Sequence, residues 1–173
     1  MSLSHPQTEL RPPTPNDGAS VFSLIGRCPP LDTNSMYCNL LQCTHFAGTS
    51  VAAVQTVNTS EELVGFISAY LIPEREDTLF IWQAAVDERA RGIGLASNML
   101  KHILDRPQCN QITHLETTIT ESNKASWALF ESLAKKLGTT LVKSVMFDRD
   151  KHLASEHDTE FLVRIGSFKF AQT

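Results

Sequence analysis

Apolar residues recur along this chain with two spacings, every second position in some stretches and every third or fourth in others, and the order of those stretches predicts the fold. β-Branched and aromatic runs at 51–57 and 63–72 flank the polar segment Asn58-Thr59-Ser60-Glu61-Glu62, which predicts a hairpin closed by a polar turn. A third run at 78–86 continues the meander. Leu95, Met99 and Ile103, with Ala96, Leu100 and Leu104 beside them, recur every four residues until Pro107 stops the helix. A strand at 112–119 follows. Asn123 opens another helix, with Trp127, Phe130, Ala134 and Leu137 facing inward and Gly138 at its C-terminal cap. Strands at 141–147 and 159–165 close the pattern.

Upstream the pattern is less regular. The first ten residues are polar and predict a mobile start, and Pro12, Pro13 and Pro15 follow, so folded structure is expected from about Leu10. Asp17 is a good N-cap for a first helix with Val21, Leu24 and Ile25 as its apolar stripe. After the break at Cys28-Pro29-Pro30, Asp32, Thr33 or Asn34 can cap a second helix whose Tyr37, Leu40, Leu41 and Thr44 share one face. In order, three meandering strands, a helix, a strand, a helix and two closing strands imply an α/β (α+β) chain. Its sheet is mixed, with one parallel pair joined by the helix after Arg91.

Length and charge narrow the setting. At 173 residues the chain is the size of one domain with one core, so the expected organisation is a mobile segment at 1–9, a single domain at 10–167 and a tail at 168–173. There is no repeat and no low-complexity segment. A net charge of −4 argues against a general nucleic-acid surface. No apolar run reaches the ~18 residues of a spanning helix, and the polar N-terminus lacks a leader pattern, so a cytoplasmic protein without a membrane partner is expected. Cys28, Cys38, Cys43 and Cys109 form no Cys-x-x-Cys pair, and the six histidines show no ligand spacing, so neither zinc nor a disulfide framework is expected. A homodimer is the default for a soluble enzyme of this size.

The chemistry concentrates where the strand at 78–86 runs into Asp87-Glu88-Arg89-Ala90-Arg91-Gly92-Ile93-Gly94-Leu95-Ala96. Gly92 and Gly94 allow main-chain N–H groups to approach an anion, and the N-terminus of the following helix favours negative charge. The expected ligand is a phosphorylated cofactor. A dinucleotide fingerprint is not met, because Ser97 stands where the third glycine belongs, and no Gly-Lys-Ser/Thr marks a P-loop.

The segment resembles motif A of the GNAT family of N-acetyltransferases, Gln/Arg-x-x-Gly-x-Gly/Ala, read here as Arg91-Gly92-Ile93-Gly94-Leu95-Ala96. Starting the motif at Arg89 fits the pattern too; the later register is preferred because five residues from Val86 precede Arg91, as the family usually has them. A second signal is Asn123-x-x-Ser126-x-x-Leu129-Phe130, similar to the family helix that carries Asn-x-x-Ala/Ser-x-x-Leu/Phe-Tyr. The resemblance implies a GNAT-type mixed, mostly antiparallel central sheet of about seven strands flanked by about four helices. It also implies acetyl transfer from acetyl-CoA to a small-molecule amine. Cys28 to Tyr37, Asp77 to Val86, Leu115 to Thr120 and Asn123 to Ser126 extend the resemblance to family members that act on a diamino acid, and that resemblance implies that the amine is the side-chain (N4) amine of L-2,4-diaminobutyrate. Another small amine, such as a polyamine or lysine, is the alternative, as is a non-catalytic sensor that binds acyl-CoA.

The same resemblance assigns the site. Ala84, Ala85 and Val86, then Arg91, Gly92, Ile93, Gly94, Leu95 and Ala96, and Asn123, Ser126 and Phe130 are expected to hold acetyl-CoA, and no metal is implied. A backbone N–H at Ala85 is expected to polarise the thioester carbonyl. An alkylammonium titrates near lysine's value of about 10.4, so the amine must also meet a proton acceptor. Glu116 and Tyr37 join Ala85 as the expected catalytic groups, and Asp32, Tyr37, Trp82, Glu156 and His157 are expected to bind the amine substrate. One departure stands out: many family members carry a tyrosine that protonates the leaving thiolate, and this chain has Phe130 there.

Overall fold

A computed structural model describes residues 7–169, and statements about the structure concern those residues. In chain order the elements are β1 (Thr8–Arg11), α1 (Gly18–Gly26), α2 (Met36–Thr44), β2 (Val51–Val57), β3 (Ser60–Ile72), β4 (Arg75–Val86), α3 (Leu95–Leu104), β5 (His114–Thr120), α4 (Lys124–Lys136), β6 (Leu141–Phe147) and β7 (Glu160–Gly166). The strands form one sheet in the order β1-β2-β3-β4-β5-β7-β6. Thr78–Ile81 of β4 pair in parallel with residues 114–117 of β5, while β5 pairs antiparallel with β7 and β7 with β6. That is the mixed sheet expected from the pattern, with a parallel pair, β4 and β5, joined by the helix after Arg91.

Contacts gather into two compact units: residues up to Ala69 with Gln83–Gln108, and Tyr70–Trp82 with residues from Cys109 onward. In the first unit, α1 buries Val21, Leu24 and Ile25 as its spacing predicts, packing with Ala52, Val54, Phe66 and Ala85. Met99 of α3 lies against Gly65, where a Cβ would stand 3.0 Å from the methionine methyl. In the second unit, α4 buries Phe130, Leu133 and Ala134. Gly138, at φ +65°, ends that helix with its N–H donating to Lys135 O and the Thr139 N–H to Ala134 O.

Several local expectations change. Thr8–Arg11 is an ordered strand paired with residues 52–55 of β2, so structure begins before Leu10; residues 1–6 lie outside the described part. At the other end Phe168 is buried and its N–H donates to Thr113 O, so residue 168, expected in the tail, is packed; residues 170–173 lie outside the described part. The hairpin turn is two residues, Asn58 and Thr59 at φ +48° and +71°, because β3 starts at Ser60 instead of Leu63. Asp17 precedes α1 but does not cap it through its side chain, which instead accepts from the Thr14 N–H and pairs with both terminal nitrogens of Arg11. Ser35, not Asp32, Thr33 or Asn34, caps α2 by accepting from the Cys38 N–H. That helix buries Asn39, Gln42 and Cys43, whereas Tyr37 is 70 % exposed and Leu40 and Leu41 are half-buried. The two amides bond each other at 2.9 Å, which is how polar residues occupy the inner face.

Candidate active site

At its C-terminal end β4 turns into a short 3-10 turn, Glu88–Ala90, and then into α3. Asp87 fixes the turn: its carboxylate accepts from the Arg89 N–H and side chain and from Arg27. Those hydrogen bonds, the Arg89 side chain foremost, hold the Asp87 carboxyl far below the usual carboxylate range against a smaller opposing effect of burial. Arg89 also pairs with Glu62 at 3.1 Å. Arg91 differs. Its Nε donates to Val86 O at 3.0 Å, and its side chain is exposed, next in sequence to Gly92.

Gly92 and Gly94 have φ of +78° and +76°, left-handed values that a side chain disfavours, and a Cβ at either would meet no heavy atom within 4 Å. Glycine is therefore required for backbone direction, not for room. Gly94 is the N-cap of α3, and its carbonyl accepts the first helical bond, from the Asn98 N–H at 3.0 Å. The amides of Leu95, Ala96 and Ser97 precede that first bond and have no intrahelical acceptor. An open arc of N–H groups at a helix start, beside an arginine, suits a diphosphate.

The loop that leads to α2 is tied to β4 through Gln83. Its buried amide donates to Asp32 O at 2.7 Å and accepts from Asn34 Nδ2 at 2.8 Å. The Asp32 and Tyr37 side chains are thereby left at the surface. Neither Gln83 nor Asn34 was predicted for the site; a glutamine between the apolar Trp82 and Ala84 was the available signal.

In the second unit, Thr117 Oγ1 donates to Ile81 O at 2.9 Å where the registered β4–β5 pairs end, and β4 itself runs on to Val86. Trp82 is 40 % exposed and stands edge-on to Tyr70, with ring centroids 6.3 Å apart; the Phe80 ring lies 5.3 Å from that of Tyr70, tilted to it. Glu116 is only 3 % exposed, yet charged partners surround it. Arg75 donates to both of its oxygens, at 2.7 and 3.0 Å, and Arg164 donates to Oε1. Burial raises the Glu116 carboxyl, but the bonds and charges of the two arginines outweigh it, so the group lies below the ordinary glutamate value. A carboxylate held this way is a poor proton acceptor, which weighs against the general-base role expected for it. Burial, followed by the negative charge of Glu116, raises the Tyr70 phenol.

Asn123 caps α4, its Oδ1 accepting from the Ser126 N–H at 3.2 Å, and Phe130 is buried one turn on. Trp127 Nε1 donates to Thr120 O and so joins the helix start to the end of β5. Glu156 and His157 are exposed in the loop 148–159, which is braced internally: Asp148 Oδ1 accepts the N–H groups of Asp150 and Lys151, and Ser155 Oγ donates to Asp150. Among the described residues no group of three or more His, Cys, Asp or Glu is placed to hold a metal ion.

Comparison with known proteins agrees with this geometry. Residues 20–134, about two thirds of the chain, match the model of the acetyltransferase (GNAT) family. The chain is 58 % identical over 167 residues to L-2,4-diaminobutyric acid acetyltransferase of Methylotuvimicrobium alcaliphilum, covering 96 % of this chain and 95 % of the relative. It is 52 % identical over 156 residues to the enzyme of that name from Vibrio cholerae, covering 90 % and 88 %. Among solved structures it resembles diaminobutyrate acetyltransferase EctA from Paenibacillus lautus, in complex with its substrate L-2,4-diaminobutyric acid and coenzyme A. The TM-score is 0.89 at 32 % identity, covering 96 % of this chain and 99 % of that one. The chain belongs to the GNAT family of acetyltransferases.

Proposed function

We propose that this protein transfers the acetyl group of acetyl-CoA to the N4 amine of L-2,4-diaminobutyrate, giving N4-acetyl-L-2,4-diaminobutyrate, the precursor that is cyclised to the osmoprotectant ectoine. The observation that carries the reading is the glycine loop, with two left-handed glycines opening α3 beside Arg91, in a chain that shares more than half its residues with an enzyme named for that reaction. Arg91 and the amides from Gly92 to Ala96 bind the diphosphate. Asn123, Ser126 and Phe130 contribute to cofactor binding from α4, and Ala84, Ala85 and Val86 present backbone to the pantetheine arm.

The reaction needs no covalent enzyme intermediate. The neutral N4 amine attacks the thioester carbon, a C–N bond forms, the C–S bond breaks, one proton leaves the nitrogen, and the thiolate takes up a proton as CoA departs. The Ala85 N–H stabilises the oxyanion, an interaction whose loss in other acyl-transfer enzymes costs on the order of 10²-fold or more. Asp32, Glu156 and His157 receive the two ammonium groups and the released proton. Tyr37 and Trp82 form walls of the amine site.

The decisive assay follows free CoA with a thiol reagent over a panel of amines. Turnover with diaminobutyrate above polyamines and lysine is expected. Preference for another amine moves the enzyme elsewhere in the family, and CoA binding without turnover marks a sensor. We also infer a homodimer built on β6, an end strand of the sheet that exposes Val142, Val145, Met146 and Phe147, since such a strand needs cover. Light scattering that finds a wild-type monomer overturns it. Cys28, Cys38, Cys43 and Cys109 form no disulfide with one another, which suits a cytoplasmic enzyme in the reducing compartment.

A further inference from the structure

Glu116, Arg75 and Arg164 form a cluster that the transfer chemistry above leaves unused. Glu116 and Arg164 are opposite one another in the β5–β7 register, and Phe80 stands opposite Glu116 on its other side. Each arginine donates to the single buried carboxylate, so two positive charges share one negative charge. Asp77, the next nearest acid, is turned toward the Thr78 and Thr113 hydroxyls and the His114 ring. Arg75 keeps 46 % and Arg164 34 % of its side chain exposed, while Glu116 is covered. Arg164 engages Glu116 through Nη1, and its Nε and Nη2 have no partner among the described residues. Tyr70 and Trp82 bring aromatic surface to the same unit.

A guanidinium fixed by a buried carboxylate, with two donors left over, is built to take a second planar carboxylate in bidentate fashion. A diamino acid carries such a group and a plain diamine does not. Resting on the function proposed above, we propose that Arg164, supported by Arg75, binds the α-carboxylate of the amino-acid substrate, and that Glu116 is a positioning residue that holds both guanidiniums in place. The arginines thereby separate diamino acids from polyamines. Glu116 keeps its charge throughout and exchanges no proton with the substrate.

The test compares diaminobutyrate with its α-carboxamide, which keeps both amines and loses only the anionic group, in wild-type protein and in Arg164→Gln. Wild-type KM for the carboxamide is expected about tenfold or more above that for diaminobutyrate, the scale of one charge-assisted bidentate contact. In Arg164→Gln the KM for diaminobutyrate rises to meet that of the carboxamide, whose own KM stays put, with kcat changed little for either. Equal wild-type KM values, or a parallel rise for both substrates in the variant, overturns the inference. Calorimetry with CoA reports whether Arg164→Gln is folded. If it is not, Arg164→Lys, which keeps the charge but not the fork, is read by the same pair of KM values. Absence of any wild-type turnover with diaminobutyrate instead removes the proposed function itself.

Discussion

Replacing Gly94 with alanine tests whether the loop before α3 grips the cofactor by its backbone. Gly94 sits at φ +76°, and a Cβ there meets nothing within 4 Å, so the substitution introduces no clash and acts only through the disfavoured left-handed conformation. That conformation costs a side-chain-bearing residue about 1–2 kcal/mol. In a chain of this size the cost corresponds to a fall in Tm of roughly 2–8 °C if the loop keeps its shape. If the loop relaxes toward negative φ instead, the amides between Gly94 and Ala96 swing off the diphosphate. Each lost hydrogen bond to a charged group is worth about 1.5–3 kcal/mol, or roughly ten- to hundredfold in affinity.

The structure supplies its own control. Gly138, at φ +65° with equally open surroundings, ends α4 in a position with no part in the proposed cofactor site. Gly94→Ala and Gly138→Ala should therefore lose comparable thermal stability in the absence of CoA, while only Gly94→Ala loses CoA affinity by calorimetry and gains KM for acetyl-CoA. If Gly94→Ala melts lower but binds CoA like wild type, the amides at the start of α3 are not what holds the diphosphate.

Arg91→Ala should raise KM for acetyl-CoA with little change in Tm, whereas Arg89→Ala should lower Tm through the loss of its bonds to Asp87 and Glu62 and leave KM nearly alone; the reverse pattern would move the motif to start at Arg89. Asn123→Ala removes the cap of α4 and should cost about 0.5–2 kcal/mol in urea unfolding, with Asn123→Ser recovering most of it. Asp17, Asp87 and Glu116 all lie below their ordinary values when folded, so the unfolded chain takes up protons first as the pH drops. Stability should be fully present above the unfolded carboxylate values of about 4 to 4.5 and fall progressively below them, and Glu116→Gln should make the fall shallower; an unchanged urea midpoint between pH 7 and 3 would contradict this.

The sheet was readable because its strands satisfy a simple physical rule. The runs at 51–57, 78–86 and 141–147 are rich in apolar or β-branched residues and have polar or glycine-rich flanks, whether the strand is largely buried like β2 or exposed like β6, and β2 and β6 have the predicted limits. What escaped the pattern was whatever side chains settle among themselves. Nothing in the periodicity says that Asn39 and Gln42 will pair and turn inward while Tyr37 turns out. Nor does it show that Ser35 captures the Cys38 amide before Asn34, whose own side chain is taken by Gln83. The short β1 was missed because Thr8–Arg11 has too few apolar residues to show alternation and is held through its backbone pairing to β2.

The site divides along the same line. A glycine motif is legible because backbone direction constrains residue type locally, and Gly92 and Gly94 are left-handed. Carboxylate roles are different, because they depend on partners that are distant in sequence. The family resemblance put Glu116 among the catalytic groups, while its place in a strand says nothing of its partners; Arg75 is 41 residues before it and Arg164 48 residues after it. Those two partners weigh against its accepting a proton and suit it to fixing cations. The base must accordingly come from groups not already committed to an ion pair. Glu156 and His157 are exposed in a loop whose backbone is stitched by Asp148 and Ser155, which lets them be positioned without being neutralised. A pH profile of kcat/KM for diaminobutyrate that loses its acidic limb in His157→Gln or Glu156→Gln, and keeps it in Glu116→Gln, would assign the proton to that loop; loss of the limb only in Glu116→Gln would return the role to the buried carboxylate.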